Sequence, residues 1–102
     1  ASETSFRRAL SIDDTLAGAY TGLGVTLARL NRLPEALDAW LRAVSLDPHD
    51  FNALFNLTME LFESGQAGEA RRYGEQFVAT APPAFFAADI ARVRARLAGG
   101  RF

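Results

Sequence analysis

The chain's single histidine, His49, stands in the stretch Ser45-Leu46-Asp47-Pro48-His49-Asp50. An imidazole between two carboxylates could begin a metal site or a proton relay. A metal site needs further ligands, usually histidine or cysteine at defined spacing, and the chain has no cysteine. One turn histidine also leaves no Ser/His/Asp triad to assemble. The simpler reading is a joint between two helices. Asp47 then belongs to the turn, and Asp50 caps the next helix through its side-chain oxygen. Asp13-Asp14 reads the same way.

Three glycines, Gly18, Gly22 and Gly24, raise a second possibility, a phosphate-cradling loop. That loop needs a strand before it and a lysine or a ribose-binding acid after it. The chain has no lysine, and no stretch alternates with period two. The glycines are therefore read as points of close helix contact. Glu60 and Glu63 fall on one helix and read as a solvated face. Arg92, Arg94 and Arg96, with Arg101 beyond, make a basic last helix. This is either cation placement near a helix C-terminus or a surface for an anionic partner, and the former is favoured. No catalytic constellation, cofactor site or metal site is expected, so the chain is read as non-enzymatic.

Composition narrows the classes further. The 102 residues suggest one domain, with 49% hydrophobic residues to supply a core. A net charge of −1 lacks the basic footprint of a nucleic-acid binder. No apolar run approaches the ~18–20 residues of a membrane span, and no signal peptide is visible at the start. The chain opens at Ala1 and reads as a piece of a longer protein. All eleven basic residues are arginine. With the many alanines this points to a GC-rich bacterial genome, and the expected compartment is the bacterial cytoplasm.

The elements that position these residues repeat. Ser11-Ile12-Asp13-Asp14 lies 34 residues before Ser45-Leu46-Asp47-Pro48, and Pro82 lies 34 beyond Pro48. The same offset pairs Phe6 with Trp40, Ala9 with Ala43, Ala19 with Ala53, Leu23 with Leu57, Leu27 with Leu61, Ala36 with Ala70 and Phe51 with Phe85. A fixed period of this length signals a repeat architecture. Within each period the spacing is helical. Leu16, Tyr20, Leu23, Leu27 and Leu30 form one apolar stripe, while Ala36, Leu37, Trp40, Leu41 and Val44 form another. Pro34 opens a helix, Asn31 and Gly65 suit left-handed helix ends, and Pro48 and Pro82 stop helices. The spacing predicts helices near 2–11, 15–30, 34–46, 51–64, 67–80 and 84–98, and no sheet.

In this register the chain resembles the tetratricopeptide-repeat family. Tyr20, Leu23-Gly24, Leu27, Ala36, Trp40, Ala43 and Pro48 fit the family's pattern in one unit. Leu54, Leu57, Leu61, Ala70 and Pro82 fit it in the next. Gly74 stands where a large aromatic is usual and Phe77 where alanine is usual, a large-for-small exchange that keeps volume. The resemblance implies an all-α superhelix of antiparallel helix pairs, right-handed, in one domain over 1–102. Its parts are a half repeat over 1–16, repeats over 17–50 and 51–84, and a terminal helix over 85–98.

It also implies a concave groove lined by first helices, with Thr21, Val25, Arg29, Asn52, Phe55, Asn56, Met59, Phe62, Phe86, Asp89 and Val93 as lining residues. Phe55, Met59 and Phe62 make that groove unusually apolar, which marks a partner site. The implied function is a protein-interaction module holding a peptide or partner segment. The alternatives are an accessory segment of a larger bacterial enzyme, such as a sulfatase-like hydrolase, and a self-association module forming a homodimer through Phe6, Leu10 and Ile12. The family's chaperone-tail binders grip a C-terminal carboxylate with lysine, asparagine and arginine. Here only Asn56 matches, with Thr21, Val25, Phe86 and Ile90 at the other positions, so acidic chaperone tails are not an expected ligand.

Overall fold

The structure, a computed structural model, describes residues 2–99. Among them are six helices and no strand: α1 Glu3–Ile12, α2 Ala17–Arg29, α3 Leu33–Leu46, α4 Phe51–Glu63, α5 Ala67–Thr80 and α6 Pro83–Leu97. The fold is all-α, as the period of the apolar residues requires. Arg101 lies outside the described residues. The chain divides into two compact units, Ala1–Ala53 and Leu54–Phe102, with the boundary in the first turn of α4.

In the first unit, α1 begins at the N-cap Ser2, whose hydroxyl accepts from the amide of Ser5. α2 ends where Asn31 takes φ 61°. The amide of Arg32 then donates to the carbonyl of Leu27 at 2.9 Å, and that of Asn31 to Ala28 at 3.0 Å. This two-bond closure satisfies carbonyls that the helix end leaves free, and it turns the chain so that α3 packs back along α2. The core holds Leu23, Leu27, Ala36, Ala39, Trp40, Ala43 and Val44. Gly24 faces the indole of Trp40 so closely that a Cβ there would collide with Nε1, and Nε1 donates to the carbonyl of Thr21 at 3.3 Å. Gly22 likewise gives its space to the ring of Phe6 on α1.

Two expectations change here. Leu16 and Leu30 are exposed at 41% and 55%. They are the residues that flank α2, so the buried stripe shrinks to the two middle leucines. Gly18 has open space around its Cα and is not a contact glycine.

The second unit ends α4 in the same way. Gly65 has φ 79°, with Gln66 donating to Leu61 at 2.9 Å and Gly65 to Phe62 at 3.2 Å. Its core holds Leu54, Leu57, Thr58, Leu61, Ala70, Gly74, Phe77, Ala81, Ile90 and Val93. Thr58 is completely buried, and its hydroxyl donates to the carbonyl of Leu54 at 2.7 Å, which removes the cost of an unpartnered buried hydroxyl. α6 is capped by Pro82, begins at Pro83 and bends at Phe86, whose φ of −125° and ψ of 23° leave the helical range.

Candidate partner-binding surface

His49 lies exposed in the turn after α3. Its amide donates to the side chain of Asp47 at 2.9 Å, and its ring stands 5.8 Å from that of Phe51. Asp50 caps α4, with Oδ1 accepting from the amide of Ala53 at 3.1 Å. Its other oxygen accepts from the hydroxyl of Thr21. The stretch is a helix joint, with both carboxylates committed to the turns around them. Among the described residues no group of three His, Asp or Glu side chains assembles that could hold a metal.

The capping role of Asp50 alters one of the expected surface residues. Thr21 is half-buried, and its hydroxyl is bound to Asp50, so it is not an open contact. Val25 is half-buried, while Arg29 in the last turn of α2 and Asn52 in the first turn of α4 are exposed. The first unit also carries a cleft that the repeat pattern did not reveal. Its volume is about 240 Å³, with Tyr20, Leu23, Leu27 and Ala39 in its wall and Arg7, Glu35, Asp38 and Arg42 beside them. The guanidinium of Arg42 lies 5.5 Å over the Tyr20 ring.

A cluster of charges runs beside this cleft. Arg32 reaches Glu3 and Glu35, each at 2.7 Å, and Arg7 meets Glu3 at 2.8 Å. Hydrogen bonds from Arg7 and then Arg32 hold the Glu3 carboxyl below the usual carboxylate range, and Arg32 does the same for Glu35.

In the second unit, Phe55, Asn56, Met59 and Phe62 on α4 are all half-buried. Phe55, Met59 and Phe62 recur at four- and three-residue steps, so they share one helix face. The Phe55 ring stands 5.6 Å from the fully buried Phe77. Phe86 and Asp89 on α6 are half-buried, and Phe86 meets Phe77 edge-on at 5.9 Å. Val93 must be struck from the lining residues. It is completely buried and faces Gly74, where a Cβ would lie 3.2 Å from its Cγ1. It packs into the core at the place that glycine leaves open.

The arginines of α6 do something that their spacing did not announce. Arg92 lies 5.3 Å over the Phe55 ring, and Arg96 5.1 Å over the Phe62 ring. Arg96 also pairs with Glu63 at 2.9 Å. A cation within about 6 Å of an aromatic face is held by the ring quadrupole, so the apolar stripe of α4 is bordered by guanidinium groups. Burial first, and then the charge of Glu63, raises the pKa of Glu60. Among the described residues no helix is long and apolar enough to cross a membrane.

A family model described as "Tetratricopeptide repeat" matches residues 17–50. A curated relative, the "Peroxisomal targeting signal receptor" of Candida albicans (strain SC5314 / ATCC MYA-2876), is 37% identical over 68 residues. The match covers 67% of this chain and 12% of the receptor, so the chain spans about an eighth of that relative's length.

Proposed function

Since the chain belongs to the tetratricopeptide-repeat family, we propose that it is a non-catalytic protein-interaction module that holds a peptide or partner segment against the apolar stripe of α4. One observation carries this reading: Phe55, Asn56, Met59 and Phe62 stand together on α4, half-buried and still partly accessible. Phe55 touches the core at Phe77, yet with Met59 and Phe62 it keeps part of its apolar surface accessible on one face of α4, and such patches mark interaction sites. An extended or helical segment with apolar anchors fits a stripe of this spacing. The relative is a targeting signal receptor, and by that likeness this chain recognises a short peptide signal.

The test is selection of a displayed random-peptide library on the chain. The wild type enriches a peptide family, and Met59→Glu or Phe62→Glu removes the enrichment while the helical circular-dichroism spectrum is kept. Variants that unfold would show these side chains to be core and would overturn the assignment.

Self-association is a second reading, favoured by Ile12, which is 82% exposed on α1. Phe6, by contrast, already has a neighbour in Gly22. Sedimentation across a dilution series decides it: a concentration-dependent dimer abolished by Ile12→Ser supports it, and a monomer throughout overturns it.

A further inference from the structure

We infer that Arg92 reads a carboxylate, so that the segment taken on the α4 surface carries one aspartate or glutamate beside an apolar anchor. The inference rests on the peptide-binding reading and names the chemistry of its ligand.

The two arginines over the α4 rings differ in one respect. Arg96 has its charge matched by Glu63 at 2.9 Å. The guanidinium of Arg92 makes no ion pair or hydrogen bond with any described residue and lies against the face of Phe55 at 5.3 Å. Asp89 lies three residues before Arg92 on α6, a spacing at which helical ion pairs form. No such pair is made, and the guanidinium lies over the ring instead.

That placement has two consequences for binding. The ring restrains a long side chain before any partner arrives, which lowers the ordering cost that association otherwise carries. It also leaves the planar fork of N–H donors without an acceptor, the arrangement that matches a carboxylate bidentately. Phe55, with Met59 one turn along α4, supplies the apolar platform beside it.

The surroundings limit the ligand further. Asp89, Glu60 and Glu63 on the same two helices keep the surface from being broadly basic. The complementary segment therefore has a single carboxylate next to an apolar side chain, and a run of acids gains nothing.

Library selection on the wild-type chain, followed by titration of one enriched peptide, tests this. The expected motif places one Asp or Glu within a few residues of an aromatic or aliphatic anchor. Replacing that acid by its amide should weaken binding on the order of tenfold, the scale of a hydrogen bond to a charged group. Arg92→Gln should erase the difference between the acid and amide peptides. Arg92→Lys should restore only part of it, because the fork is lost while the charge remains. An enriched motif with apolar anchors and no acid, or an acid whose effect survives Arg92→Gln, overturns the inference and leaves the peptide-binding reading standing. Enrichment of no peptide at all overturns that reading and this inference with it. The acid-to-amide comparison uses the wild-type protein, so the outcome does not hinge on the folding of a variant.

Discussion

The same layer of the two units is built with opposite shapes. In the first, α2 contributes Gly24 and α3 contributes Trp40, and the indole fills the space over the glycine. In the second, the residues 34 positions on are Thr58 and Gly74. The larger side chain has moved to the first helix and the glycine to the second. The aromatic volume reappears one turn later, as the fully buried Phe77, where the first unit has the fully buried Ala43. A core layer needs its volume filled at crystalline density, and these residues show two partitions of that volume between facing helices.

The comparison is sharpest where a large side chain is removed. Phe77→Ala and Trp40→Ala should each cost about 3–5 kcal/mol, read by chemical denaturation. A much smaller loss at Phe77 would mean that the second unit does not rely on its relocated aromatic.

The glycines should then separate. A Cβ at residue 24 collides with the indole, and such overpacking costs about 1–3 kcal/mol, so Gly24→Ala lowers the melting temperature. At Gly74 a Cβ would meet Thr58 at 3.2 Å, Val93 at 3.2 Å and Leu97 at 3.3 Å, all side-chain atoms. The strain there is smaller and is offset by the ~1 kcal/mol that alanine gains over glycine inside a helix. Gly74→Ala should be near neutral. The reverse order of the two variants would break the comparison.

Acid should divide the units more gently. Glu3 and Glu35 in the first unit have folded pKa values below the 4.5 of a free glutamate. Their contribution is present above that value and is lost as pH falls through the lower folded value. Glu60 in the second unit has a raised pKa, so its ionisation opposes folding, and lowering the pH through the raised value relieves it. Hydrogen exchange across pH 3–6 should show protection in the first unit falling with acid while protection around α4 holds or rises.

The smallest effect is expected at Thr58. Its hydroxyl donates to a carbonyl of its own helix, a local bond of little net worth. Thr58→Val, which keeps the shape, should change stability by less than about 1 kcal/mol. A larger loss would show that the hydroxyl itself is needed in the second unit's core.

These contrasts also mark what the amino-acid pattern could reveal. The offset of 34 residues placed every helix within two residues of its observed ends, because buried positions, prolines and left-handed turns repeat together. The exchange at Gly74 and Phe77 was legible for the same reason, since it breaks that repeat at two matched positions. Periodicity assigns a residue to a face but says little about what a long or capping side chain reaches across. It therefore missed Arg92 and Arg96 lying over Phe55 and Phe62, and Asp50 claiming the hydroxyl of Thr21. It also put Val93 at the surface, because the void that admits that side chain comes from the absent Cβ of Gly74, on a different helix.

Helix α1 buries none of its residues. It is held by the Phe6 ring seated on Gly22, by the half-buried Ala9 and Leu10, and by the Glu3–Arg32–Glu35–Arg7 charges. Opening it therefore uncovers half-buried rather than fully buried side chains, and it breaks ion pairs that salt screens. In kinetic terms α1 should act as the latch of the first unit: its amides should exchange before those of α2 and α3, the segment joining it to α2 should be nicked early by protease, and both rates should climb with ionic strength.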